Sequence, residues 1–283
     1  MRKDPGVSGV AGHTASPELF DGQAEFFDRR TGLPEDCCRA AAGKVLEFAA
    51  RGVAGLTVEV GCGTGQIGRW MVGPVRYVGF DLSSNMLREF QRRLLGVGGG
   101  QPTLLQADAN AAWPFADGSA GLIFSSRAVH LLGHEHVAAE VFRLASPDGA
   151  TLLLGRVERT PGSVKERMAR EMNERLRQRG LKGRRGERRN RKLFEACARL
   201  GAETLEPVPV ATWNVSASPR QSLDSWRSLK GLGGLPVSAE TRAEVLDGLE
   251  VWAAAEFGGL DEEFEFEETY VLSPLRVPPA HKA

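Results

Sequence analysis

Three acidic residues in this sequence stand where an acid can do more than face water. Glu59 ends the run Thr57–Val60 but for one residue, two positions before the first glycine of "GCGTG" at 61–65. Asp81 follows "RYVGF" at 76–80, and Asp108 follows "TLLQA" at 103–107, with the small Ala109 next to it. Gly61, Gly63 and Gly65 let the backbone turn tightly and let a ligand lie against the main chain around Cys62. Gly63-x-Gly65-x-x-Gly68 also satisfies the dinucleotide pattern G-x-G-x-x-G, and a tight turn that holds nothing would read the same. Glu59 weighs against the dinucleotide, because an acid there repels a pyrophosphate over a helix N-terminus. A carboxylate suits a cation. Asp81, 20 residues after Gly61, can accept from both hydroxyls of a ribose. Asp108 can accept from the exocyclic amine of adenine, with the main chain of Ala109 completing the base edge. Together these residues describe a nucleoside that carries positive charge and no phosphate.

One further group could move a proton. His130, in "SRAVHLL" at 126–132, could accept one near neutral pH as a neutral imidazole; a histidine that only packs or hydrogen-bonds would read the same. His130 and His134 are four apart, but Gly133 intervenes and no carboxylate completes a ligand set, so no metal is expected. The cysteines Cys37, Cys38, Cys62 and Cys197 show neither ligand spacing nor a disulfide framework. They read as reduced thiols of a cytoplasmic protein.

The elements that must position these groups alternate. Strands are expected at 57–60, 76–80, 103–107, 120–126 and 151–156, with helices from Ser83 and over 134–146 between them. Mostly apolar strands separated by helices imply a parallel sheet covered on both faces. Its ligand then lies beyond the carboxyl ends of the strands, where strand order reverses. Pro34 starts an earlier helix with Cys38, Ala41, Val45 and Phe48 at helical spacing. After the fifth strand, 156–192 holds fifteen Lys/Arg against five Glu, a net charge of +10, so the rest of this neutral chain carries −10. Val164, Met168, Met172 and Leu176 form a helical stripe there, and Leu193, Phe194, Cys197 and Leu200 an inward face further on. A strand over 203–210, a helix over 239–257 with Val245, Leu249 and Trp252 on one face, and an alternating strand over 263–272 complete the chain.

Five segments in order, "VEVGCGTG", "VGFDLS", "LLQADAN", "WPFADGSAGLIFSSRAVHLL" and "LASPDGATLLL", resemble the successive motifs of class I S-adenosylmethionine-dependent methyltransferases. They are most similar to the methyltransferase-type-11 group, which includes quinone-biosynthesis enzymes. The resemblance is strong over 20–160 and weaker over 200–275. It implies a Rossmann-like α/β fold with a seven-stranded, mostly parallel sheet and an antiparallel last strand. It implies S-adenosylmethionine as cofactor, with Glu59 toward the methionine amino group and Gly61 and Gly63 against the methionine part. Asp81 would hold the ribose, Leu82 and Met86 would pack on adenine, and Asp108 and Ala109 would read its edge. Ser125 and Ser126 would line the methionine side, and Phe26, Phe27 and Arg30 would belong to a lid.

The resulting organisation is an N-terminal stretch, 1–17, expected to lack fixed structure, and a helical lid over 18–50. A methyltransferase domain follows over 51–275 with the basic excursion 156–192 inside it, then a tail over 276–283. About 42% of the 283 residues are apolar and 25% charged, ordinary for a chain with a sizeable core. No apolar run is long enough for a secretion signal or a membrane helix. The expected acceptor is a small molecule. The basic segment leaves open RNA as the acceptor, although no aromatic residues interleave it for base stacking. A non-catalytic protein that binds adenosylmethionine is another alternative, and a nicotinamide oxidoreductase, which would bind the dinucleotide instead, is the last. The fourth strand ends in "SSRA", without the Asn/Asp-Pro-Pro-Tyr or Pro-Cys of amino-group and cytosine-C5 methylation.

Overall fold

The computed structural model describes residues 32–95, 102–181, 186–229, 231–233 and 235–279. The expected N-terminal stretch and the lid residues Phe26, Phe27 and Arg30 lie outside them.

The helix expected from Pro34 is α1, Glu35–Arg51. Glu35 and Asp36 in its first turn and Arg51 in its last complement the helix dipole. The alternation that follows gives β1 (Leu56–Val60), β2 (Tyr77–Asp81), α2 (Ser84–Leu94), β3 (Thr103–Gln106), β4 (Ala120–Ser126), α3 (His134–Leu144) and β5 (Ala150–Arg159). Ser83 caps α2, its Oγ accepting from the Met86 N–H at 3.2 Å. Then come α4 (Val164–Gln178), α5 (Gly186–Arg199), β6 (Glu203–Thr204), β7 (Val208–Ala217), α6 (Pro219–Arg227), the short pair β8 (Gly231–Leu232) and β9 (Leu235–Pro236), α7 (Ala239–Phe257) and β10 (Phe264–Val277).

The main sheet runs β3-β2-β1-β4-β5-β10-β6, with β7 also on β10. β1 to β5 pair in parallel, and β10 is antiparallel to β5, β6 and β7. The expected strand over 203–210 is thus divided. β6 pairs with Leu275–Arg276 and β7 with Phe264–Leu272, one after the other along the same edge of β10. Among the described residues eight strands therefore fill seven positions. Strand order reverses between β1 and β4, the crevice where such sheets bind ligands.

Period-two alternation sorts the central strands onto two cores. Ile123, Leu152 and Leu154 pack with Val141 and Leu144 of α3 and Cys197 of α5. Leu122, Phe124 and Leu153 pack on the other face with Ala41 and Val45 of α1 and Phe90 of α2. A third cluster, built from α4, α6, α7 and the outer ends of β7 and β10, stands beyond the sheet. All four stripe residues of α4, Val164, Met168, Met172 and Leu176, are buried in it with Val245 and Leu249 of α7. Leu200, expected inward, is 50% exposed, because α5 ends at Arg199 and the chain turns before the stripe reaches it.

The basic excursion meets the acidic remainder of the chain. Arg175–Glu171 (3.0 Å) and Arg170–Glu166 (3.6 Å) pair within α4. Arg167 pairs with Glu256 and Arg179 with Glu244, both on α7. Glu268 of β10 receives Arg159 at 2.9 Å and Lys165 at 3.6 Å. Exposed pairs of this kind contribute little stability, but they cancel much of the potential that a polyanion would feel.

Candidate active site

The turn after β1 is where the main chain comes closest to an open hollow. Gly61, Gly63 and Gly65 have φ of 68°, 54° and 74°, values that L side chains rarely adopt. The N–H groups of Gly61 and Cys62 both donate to the Phe80 carbonyl, at 2.9 and 3.1 Å, which ties the turn to the end of β2. The hollow beneath spans about 1020 Å³ when the open solvent at its mouth is included.

Glu59, Asp81 and Asp108 all line it. Glu59 is 3% exposed, and the Tyr77 hydroxyl donates to its Oε2 at 2.5 Å. Burial pushes the Glu59 carboxyl up to about 8, against the pull of the Tyr77 hydrogen bond, and the negative charge of Asp81 adds to the rise. A carboxylate held in this way gains its charge readily only beside a cation. The close approach also explains Gly68, since a Cβ there would stand 2.3 Å from Glu59 Oε2 and 2.5 Å from the Tyr77 oxygen.

Asp81, the last residue of β2, accepts from the Gly63 N–H through Oδ2 and from the Ser83 N–H through Oδ1, each at 2.9 Å. It therefore braces the glycine turn as well as facing the hollow. Asp108 sits two residues past β3, its Oδ1 accepting the Asn110 N–H at 2.8 Å. Gly61, Cys62, Gly63, Leu82, Met86 and Ala109 also line the hollow. Burial first, then Glu59 and Asp81, hold the Cys62 thiol well above its usual range, so it remains neutral.

Three of the residues singled out from sequence are not in the lining. Gly65 lies behind it, where a Cβ would stand 2.3 Å from the Phe90 ring. Ser125 is buried and its Oγ donates to the Val60 carbonyl at 2.8 Å. The side chain next along, Ser126, takes the place at the hollow. His130 is half-buried on the short 3₁₀ turn Val129–Leu131, and its neighbours Leu131 and Leu132 are the ones in the lining.

Sequence reasoning missed Tyr77, Gln66 and Arg127. Tyr77 lies 18 residues from Glu59, and only the parallel register that sets Thr57 against Tyr77 brings them together. Gln66 and Arg127 both line the hollow, and the Arg127 Nη2 donates to Gln66 Oε1 at 3.1 Å. Tyr270, wholly buried on β10, donates to Ser126 Oγ at 2.8 Å. Gly155 makes room for it, since a Cβ would fall 1.8 Å from the Tyr270 oxygen. Gly155→Ala is expected to destabilise the protein by about 1–3 kcal/mol through overpacking. An unchanged urea midpoint would show that Tyr270 can move aside at no cost.

Among the described residues no three His, Cys, Asp or Glu side chains are grouped as a metal site would need. The His136 Nε2 is 2.8 Å from the Ala111 carbonyl. No described helix is long and apolar enough to cross a membrane.

Comparison with known proteins adds to this geometry. A family profile described as a methyltransferase domain matches residues 58–149. No curated protein matches the sequence significantly. Among solved structures, a candidate methyltransferase of Bacillus halodurans C-125 is 20% identical, with 84% of this chain and 98% of that one covered and a TM-score of 0.53. The YcgJ protein of Bacillus subtilis is 16% identical, covering 85% and 99% with a TM-score of 0.52. SpnF, a 4+2 cyclase, is 16% identical, covering 97% and 100% with a TM-score of 0.56. At these identities the neighbours speak for the fold alone, whereas the profile covers β1 to the turn before β5 with the hollow between them. Residues 58–149 accordingly form a methyltransferase domain on a Rossmann-like sheet, and the cofactor such a domain uses is S-adenosylmethionine.

Proposed function

We propose that the protein transfers a methyl group to a small-molecule acceptor. The observation that supports this most is the meeting of Glu59, Asp81 and Asp108 at one hollow beside the glycine turn. The residues fit the cofactor's chemistry: a desolvated carboxyl for an ammonium, an acid at the end of β2 for a ribose, and an acid with a small neighbour for an adenine edge. In this reading Leu82 and Met86 pack on the base, and Gly61 and Gly63 leave the main chain open to the methionine part.

S-adenosylmethionine supplies an activated methyl group on a sulfonium, so the protein's own task is alignment and exclusion of water. Holding two reactants in line contributes on the order of 7–11 kcal/mol. Leu131 and Leu132 give the hollow an apolar wall on the side of the turn that carries His130. For an acceptor that must lose a proton, His130 is the proposed base. His130→Ala should leave the affinity for S-adenosylhomocysteine unchanged and slow turnover by about 10²-fold or more. Unaltered turnover would reduce His130 to a packing residue.

The test of the whole reading is a methyl-label screen of the purified protein against metabolite and RNA fractions. Label in the small-molecule fraction is the expected result, and label in RNA alone would overturn it. The ion pairs that α4 and Arg159 make with α7 and β10 weigh against RNA. RNA retention should accordingly be weak and should not fall steeply between two salt concentrations. One fold neighbour is named for a cyclisation, so the fold does not by itself decide the reaction. Tight S-adenosylhomocysteine binding with no transfer to any fraction would favour the non-catalytic alternative.

A further inference from the structure

The hollow has two chemically opposite walls. Glu59, Asp81 and Asp108 line one part of it, and Ser126 and Arg127, at the carboxyl end of β4, line another. Both of these present donors. Ser126 Oγ already accepts the Tyr270 proton, so its own hydroxyl hydrogen is directed to a different acceptor. Gly155 lets Tyr270 approach, which fixes that arrangement. Arg127 carries five N–H donors and no acceptor, one of them bonded to Gln66.

Its backbone marks it out further. Arg127 has φ of 58°, the only positive value among the described non-glycine residues. A non-glycine residue in this region is strained and persists where the surroundings enforce it. Here the Arg127 N–H is held by the Gly155 carbonyl at 3.2 Å. The kink therefore aims a guanidinium, rather than a continuing strand, at the edge of the hollow. Gln66 orients that guanidinium and is itself anchored, its Oε1 also accepting from the Leu33 N–H at 3.4 Å. Burial lowers the Arg127 pKa somewhat, with Tyr270, Cys38, Cys37 and Glu268 opposing the fall. A guanidinium is charged in any case.

We propose that Arg127, with the Ser126 hydroxyl beside it, is the specificity determinant for the acceptor and selects a small molecule bearing a carboxylate or phosphate. The inference rests on the methyltransferase reading of the same hollow. It divides the site by charge: the acids take the cationic cofactor and the donors take the anionic acceptor. Two oxygens of a carboxylate or a phosphate match a guanidinium's fork, and a hydroxyl donor next to it completes a three-point contact.

The test uses the intact protein loaded with S-adenosylhomocysteine, titrated by calorimetry with benzoate, phenyl phosphate and benzamide as probes. At least one of the two anions should bind at least tenfold more tightly than neutral benzamide, and which of the two does so identifies the oxyanion. Arg127→Asn, a substitution that tolerates the left-handed backbone, should abolish that preference while keeping S-adenosylhomocysteine affinity within about twofold. Gln66→Glu, which would pair with the guanidinium, should weaken anion binding in a protein that keeps its arginine. Equal binding of benzamide, no anion binding, or an Arg127→Asn protein that keeps the preference would each overturn the proposal. Failure of the wild-type protein to bind S-adenosylhomocysteine at the loading step would instead count against the reading on which the proposal rests.

Discussion

Asp81→Ala should weaken S-adenosylmethionine binding by about 100-fold or more. In the structure the carboxylate does two things at once. It accepts the Gly63 and Ser83 N–H groups, so the glycine turn is held in its open shape before any ligand arrives. In the proposed function it also takes the ribose hydroxyls. A hydrogen bond to a charged group contributes about 1.5–3 kcal/mol, and each 1.4 kcal/mol is tenfold in affinity. Losing the ribose contact and the brace together therefore exceeds a single tenfold step. Asp81→Asn keeps a carbonyl oxygen for one of the two N–H groups and should fall between. Calorimetry that finds the alanine variant unchanged would remove Asp81 from the site.

The second large effect is a pH dependence centred on Glu59. Its carboxyl is held at about 8 in the free protein, so near pH 6 it is mostly protonated. Pairing with an ammonium requires the carboxylate. Binding must then release a proton, and affinity should rise as pH rises, approaching tenfold per unit between about pH 5.5 and 7.5, where the ammonium keeps its charge. Stability runs the other way. Between the ordinary carboxyl range near 4.5 and the folded value near 8, the folded state binds more protons than the unfolded one. The ligand-free protein should therefore lose stability as pH rises through that window. Glu59→Gln keeps an acceptor for the Tyr77 hydroxyl but cannot ionise. It should flatten both profiles, bind the cofactor poorly at every pH, and melt higher than wild type at pH 8 without ligand. A wild-type affinity that does not change from pH 5.5 to 7.5 would show that Glu59 stays ionised or does not meet the ammonium.

These expectations draw on features of unequal legibility. β1 to β5 could be read because each is a short apolar run bounded by turn residues, and local periodicity carries that information. The acids at 59, 81 and 108 could be read because strand ends in a parallel sheet point to one place. The far strands were harder. β10 was expected to stop at Leu272 but continues to Val277 through Pro274. Proline has no N–H for a ladder. It is tolerated here because β6 pairs only with Leu275 and Arg276, and the Pro274 carbonyl is still used by the Leu205 N–H at 3.0 Å. Contacts made across long separations left no mark in the chain. Tyr270 and Ser126 stand 144 residues apart, and neither sequence neighbourhood announces the other. Arg127 drew no attention in the sequence, since a backbone kink leaves no sign in residue type when the residue is not glycine.

The position of β10 has a consequence for how the protein is made. Its Tyr270 fixes Ser126 from the far side of the sheet, yet it belongs to the last strand in the chain order. A nascent chain that has emerged only through α7 already holds the glycine turn and its three acids, but lacks the strand that seals β5 and the phenol that sets one wall of the hollow. The acid-lined part of the hollow can therefore form before β10 is made, whereas the Ser126 wall is set only once β10 is in place.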